Sequence, residues 1–74
     1  MPRLDFLFYS ADRREPPHVH ARKGRQEVKF WLTDCSVVAV RRVPHHELGA
    51  LQQRVRQHQA VFLEKWHAHF GRGA

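Results

Sequence analysis

The pair Gly24-Arg25 separates two runs of alternating residues, His18–Lys23 and Gln26–Thr33, and constrains this chain more than any other feature. A Gly-X pair suits a two-residue type II′ hairpin, whose first turn position needs φ > 0. With the turn placed there, Lys23 pairs with Gln26, Arg22 with Glu27, Ala21 with Val28, His20 with Lys29, Val19 with Phe30 and His18 with Trp31. Val19, Ala21, Val28 and Phe30 then share one face. His18, His20, Arg22, Glu27, Lys29 and Trp31 share the other. A slip of one residue would mix the two sets, so turn chemistry and alternation agree on a single register.

The same period-2 pattern predicts two further strands. Leu4–Ser10 alternates Leu4, Phe6 and Phe8 with Asp5, Leu7 and Tyr9, and Val37–Arg42 is a β-branched run. Asp34-Cys35-Ser36 reads as a second tight turn. Val43-Pro44 closes the sheet, with Pro44 placed to begin a helix. From His45 to about Phe70 the period becomes helical. Leu48, Leu51, Val55, Phe62, Trp66 and Phe70 form one stripe, and Gly71 stops it. A single helix of that span would be roughly 37 Å long. It would overhang a compact domain of this size, so a break is expected near Gln57-His58-Gln59. The alternative is one long kinked helix whose end serves a homodimer. The expected fold is a single α+β domain over residues 1–74. It has an antiparallel sheet of about four strands and a C-terminal helical pair on one face.

A chain of 74 residues buries only about 60% of its unfolded surface. Its core sustains about 3–5 kcal/mol of stability. Cys35 is the single cysteine, so no internal disulfide supports it, which fits a reducing, cytoplasmic setting. No apolar run approaches the length of a membrane span. Thirteen Lys and Arg against seven Asp and Glu give a formal charge of +6, which points to RNA, DNA or an acidic protein as partner.

The stretch Glu15-Pro16-Pro17-His18-Val19-His20-Ala21-Arg22-Lys23-Gly24 carries the densest chemistry. The two prolines fix φ and donate no hydrogen bond, so they deliver an extended chain into His18. In the register above, His18, His20 and Arg22 lie beside Glu27, Lys29 and Trp31. Arg22, Lys23, Lys29, Arg41 and Arg42 supply phosphate contacts for a nucleic-acid face, extended by Arg13 and Arg14, and Trp31 supplies a base-stacking platform. An enzymatic version is metal-independent RNA cleavage, with His18 and His20 as base and acid and Arg22 or Lys29 on the phosphate. A zinc version needs a third ligand from His45, His46, His58, His67 or Cys35, and the cationic neighbours disfavour a dication. No metal or cofactor is therefore expected. The competing structural reading has His18 or His20 bonding loop carbonyls or Glu15 to close the loop over the sheet.

Pro16-Pro17-His18-Val19-His20, Gly24, Val28-Lys29-Phe30, Val43-Pro44, His58 and Leu63-Glu64-Lys65-Trp66 form an ordered set that resembles the bacterial domain-of-unknown-function family 4160. Arg54 stands where that family commonly has tryptophan, and Gln59-Ala60-Val61 where it often has acidic residues. The resemblance implies a sheet followed by a helical region, and membership of small two-gene modules of the toxin–antitoxin kind. The function expected first is a basic module component that binds RNA or an acidic partner through the His18–Trp31 face. A ribonuclease using His18 and His20, and a non-catalytic protein–protein module whose partner covers an exposed helix face or sheet edge, are the alternatives.

Overall fold

A computed structural model describes residues 3–8 and 15–70. Four strands, β1 (Asp5–Leu7), β2 (His18–Lys23), β3 (Gln26–Trp31) and β4 (Val37–Arg41), are followed by a 3-10 turn (His45–Glu47) and helices α1 (Leu48–Gln57) and α2 (Gln59–Phe70). The sheet is antiparallel, in the order β1-β2-β3-β4. The β2–β3 register runs from Lys23↔Gln26 to His18↔Trp31, as the turn chemistry dictates. Gly24 takes φ = 61° and Arg25 does not share the positive φ, which is the type II′ pattern.

The apolar face packs under the helices. Val19, Ala21, Val28, Phe30 and Leu32 form one core with Cys35, Val55, Phe62 and Trp66. Phe62 also meets Phe6 and Phe8, at ring-centroid distances of 5.0 and 6.5 Å, which draws α2 toward the β1 side. The helical stripe breaks at His58 (φ −110°, ψ 10°), whose N–H is shared between the carbonyls of Arg54 and Val55. No glycine or proline marks that break. Two glutamines hold the helices instead. Gln59 Nε2 donates to the carbonyls of Leu32 (2.6 Å) and Thr33 (3.1 Å), and Gln52 Nε2 donates to that of Cys35 (2.8 Å). Those bonds also explain why β3 ends at Trp31, short of the expected Thr33: the next carbonyls turn toward the helices.

In the β3–β4 turn, Asp34 Oδ1 accepts from Ser36 Oγ and Ser36 N at 2.7 and 2.9 Å. The Ser36 hydroxyl first, and then its backbone N–H, hold the Asp34 carboxyl below its usual range. Cys35 occupies φ = 61°, a conformation that costs a non-glycine residue about 1 kcal/mol. Its side chain is nonetheless sealed in the core, where burial pushes the thiol pKa up. A buried, protonated thiol is a poor nucleophile. DTNB is therefore expected to modify Cys35 only through unfolding, at a rate that climbs with urea. Immediate modification in native buffer would show that this turn opens without global unfolding.

Across β3–β4 the register steps from Lys29↔Ala39 to Phe30↔Val37, so Val38 is an extra residue, a β-bulge. The bulge resets the alternation and puts both Val37 and Val40 on the helix-side face, opposite Phe30 and Val28. Arg42 leaves the sheet at φ = 58°, which ends β4 at Arg41, one residue before the expected boundary. Tyr9, Ser10, Arg13, Arg14 and Gly71 lie outside the described residues.

Candidate functional site

The two histidines of the Pro-Pro-His-Val-His stretch do lie on the face opposite the helices, yet they are buried, His18 at 0% exposure and His20 at 6%. The chain entering β2 explains His18. Its Nδ1 lies 2.8 Å from the carbonyl oxygen of Pro16. A carbonyl only accepts, so Nδ1 carries the proton and donates. The next carbonyl, of Pro17, accepts from the N–H of Leu32 at 2.9 Å, which carries β2–β3 pairing past the strand end. Each proline, unable to donate, thus offers its carbonyl to the hairpin.

His20 Nδ1 donates to the Glu27 carboxylate at 3.2 Å. The two imidazoles meet edge-on at 5.3 Å, and His18 meets the Trp31 ring in the same way at 6.0 Å. Lys29 pairs with Glu15 and holds its ammonium 5.2 Å from the centre of the Trp31 ring. Glu15, Pro16, His18, His20, Glu27, Lys29 and Trp31 therefore form a half-buried polar cluster in which the loop before β2 is tied to β3. Such a cluster fixes conformation when its members are satisfied. It also occupies the Lys29 charge and the Trp31 face that a nucleic acid would use.

The remaining cations divide into two groups. Asp5, Arg22, Glu27 and Arg41 stand opposite one another in successive strands, a row of alternating sign across the sheet. Such cross-strand pairs contribute about 0.2–1 kcal/mol each and offset much of the positive field of Arg22 and Arg41. Beside the row is a cleft of about 290 Å³ lined by His20, Glu27, Lys29, Ala39, Val40 and Arg41. Lys23 belongs elsewhere: alternation puts it on the Ala21 side, and with Arg54 it lines a second, more apolar cleft. Arg42 is exposed, its carbonyl accepting from Gln26 Nε2 at 3.2 Å. The expected binding set of Arg22, Lys23, Lys29, Trp31, Arg41 and Arg42 is thus spread over both faces and one end of the sheet.

His45, His46, His58, His67 and His69 are all exposed. Among the described residues no three of His, Cys, Asp and Glu converge as a metal-ligand set. No described helix is long and apolar enough to cross a membrane.

What sequence reasoning left without a role is the valines of β4. Val37, Val38 and Val40 are 37, 39 and 45% exposed, although two of them face the helical side. The only sequence signal for this was the β-branched run itself, since the helical layer that stops short of it is a tertiary fact.

Comparison with known proteins finds no match among curated proteins or solved structures. A family match extends from Leu4 in front of β1 to His67 in α2, taking in the hairpin, the buried histidines and both helices. Over residues 4–67 the chain belongs to the family described as domain of unknown function DUF4160.

Proposed function

We propose that this chain is a binding component of a small bacterial regulatory module of the toxin–antitoxin kind. It docks an acidic protein partner along β4 and has no bond-making chemistry of its own. The observation that carries this reading is the exposed edge strand Val37–Arg41. Among the described residues it ends the sheet, with no strand beside one row of its backbone groups. It leaves Val37 and Val40 uncovered on the helical side, and it finishes in Arg41 and Arg42. An extended partner segment adding to that edge gains main-chain hydrogen bonds and covers the valines. Carboxylates on that segment match Arg41, Arg42 and the overall charge of +6. The bulge at Val38 and the terminal arginines are also what keeps such an edge from pairing with its own copies.

The test is co-purification with the product of the neighbouring gene, followed by titration of the separated proteins. Val40→Lys changes an exposed side chain and should keep the melting temperature, Val37→Lys should lower it because Val37 flanks Phe30 but leave the protein folded, and affinity should fall about tenfold or more in each. Raising salt should weaken the complex further. Wild-type affinity in both variants would remove β4 as the docking surface.

One observation favours a second reading, RNA contact at the His20 cleft. Hydrogen bonding to Glu27 orients the His20 imidazole, and Lys29 and Arg41 line the same cleft. On this reading single-stranded RNA binds with a steep salt dependence and loses affinity in Arg41→Ala. RNA cleavage in EDTA, lost in a folded His20 variant, would make the site catalytic. Salt-indifferent or absent RNA binding would dismiss it.

A further inference from the structure

The sheet end that carries the β2–β3 turn faces the start of α1, and the two enclose a cleft of about 370 Å³. Its walls include Leu4 and Ala21 from the sheet, Val43 from the connection, and Ala50 and Leu51 from α1. Lys23 and Arg54 line it as well, from opposite sides, one on the hairpin and one on the helix. His46 adds a titratable ring, and Glu47 is the one carboxylate among the lining residues. Two neighbours in sequence add to the sign: Arg25 precedes Gln26 of the lining and Arg42 precedes Val43. The cleft shares no lining residue with the β4 valines or with the polar cluster around His18.

Two properties define what such a cleft takes. Its volume falls in the range of small-ligand sites, which are mostly apolar with a few placed polar groups. Its lining combines two cations with an apolar surface, so a ligand matches both only if it is itself divided into an apolar body and an anionic head. A neutral apolar molecule leaves the excess of Lys23 and Arg54 over the single carboxylate of Glu47 unused. A purely polar anion leaves the Leu4, Ala21, Val43 and Leu51 surface in water.

We propose that the cleft between the β2–β3 hairpin end and α1 is a binding site for a small amphipathic carboxylate, its apolar chain against Leu4, Ala21, Val43 and Leu51 and its head between Lys23 and Arg54. A chain of about eight carbons fits within the volume. This site stands independently of the partner surface on β4.

Octanoate, 1-octanol and butyrate are the probes, and amide chemical shifts of the ¹⁵N-labelled full chain are the readout. Octanoate is expected to shift the Ala21, Lys23, Val43 and Leu51 amides saturably, with an affinity in the sub-millimolar range. Octanol, without the charge, and butyrate, without the chain, should each bind at least about fivefold more weakly. Lys23→Gln with Arg54→Gln should bring octanoate down to the level of octanol, since both residues are exposed and the fold does not depend on them. Ala50→Trp places an indole on the exposed first turns of α1, filling the cleft. It should abolish octanoate binding while the melting temperature is kept. Octanol binding as tightly as octanoate would overturn the proposal. So would shifts centred on Val37, Val38 and Val40, or octanoate binding unchanged in the Lys23, Arg54 double variant.

Discussion

His18→Ala is expected to destabilise the domain by about 2–4 kcal/mol, more than its chemistry-bearing position in the sequence suggests. Two losses add. The hydrogen bond to the carbonyl of exposed Pro16 is lost, at a net cost of about 0.5–1.5 kcal/mol. A fully buried imidazole is also replaced by a methyl group, leaving a cavity beside His20 and Trp31. Against a total of about 3–5 kcal/mol, much of the protein would be unfolded at room temperature. Urea and thermal denaturation followed by circular dichroism would show a midpoint lowered by at least about 10 °C. His18→Asn provides the control. The amide nitrogen of asparagine sits near the place of Nδ1 and can donate to the same carbonyl, so this variant should recover roughly 1 kcal/mol of the loss. If His18→Ala instead melted like the parent, the histidine would not be what closes the loop, and a chemical role for the Pro-Pro-His-Val-His stretch would regain its standing.

Phe30→Ala is expected to prevent folding altogether. Phe30 lies next to the end of β3, fully buried between Val19 on one neighbouring strand and Val37 on the other. Removing a phenyl ring from a packed core costs about 3–5 kcal/mol, which equals the whole estimated stability. Far-ultraviolet circular dichroism and the dispersion of amide resonances would report an unfolded chain. Phe30→Leu keeps most of the volume and should cost no more than about 1.5 kcal/mol, leaving a folded protein that melts early. A folded Phe30→Ala protein would mean that the apolar face is held by something other than this central layer, such as the glutamine bonds from the helices.

Both predictions turn on burial, and burial divides what could be read in the sequence from what could not. The hairpin was legible because its determinants are local: Gly24 alone supplies the turn φ, and His18–Arg22 and 27–30 alternate polar and apolar. The helical break at His58 was legible from length alone, since a continuous stripe to Phe70 would overhang the sheet. Alternation also assigned His18, His20, Lys29 and Trp31 to one face. It could not say that Glu15 would reach Lys29, or that the Pro16 carbonyl would take the His18 proton, because each contact depends on where the preceding loop lies in space. The face expected to be an open cationic surface is for that reason a closed polar cluster. Its outer row alternates Asp5, Arg22, Glu27 and Arg41; the hairpin register gives the Arg22–Glu27 pair, while Asp5 and Arg41 stand too far away in sequence to be recognised as its neighbours. Gln52 and Gln59 were invisible in the same way, as polar residues on a helix whose function is to hold the turn at Leu32–Cys35.

By itself, then, the sequence determined the strands of the hairpin, their register, the two helices and the apolar face that joins them. Period, turn chemistry and side-chain volume act over a few residues, and they leave one arrangement that buries Val19, Val28 and Phe30 together. Only the tertiary structure decided which surfaces remain available. His18 and His20 are buried, His18 against the Pro16 carbonyl and His20 against Glu27, while α2, drawn by Phe62 toward Phe6 and Phe8, leaves the valines of β4 bare. Exposure is set by what lies above a face, and that depends on contacts between residues remote in the chain.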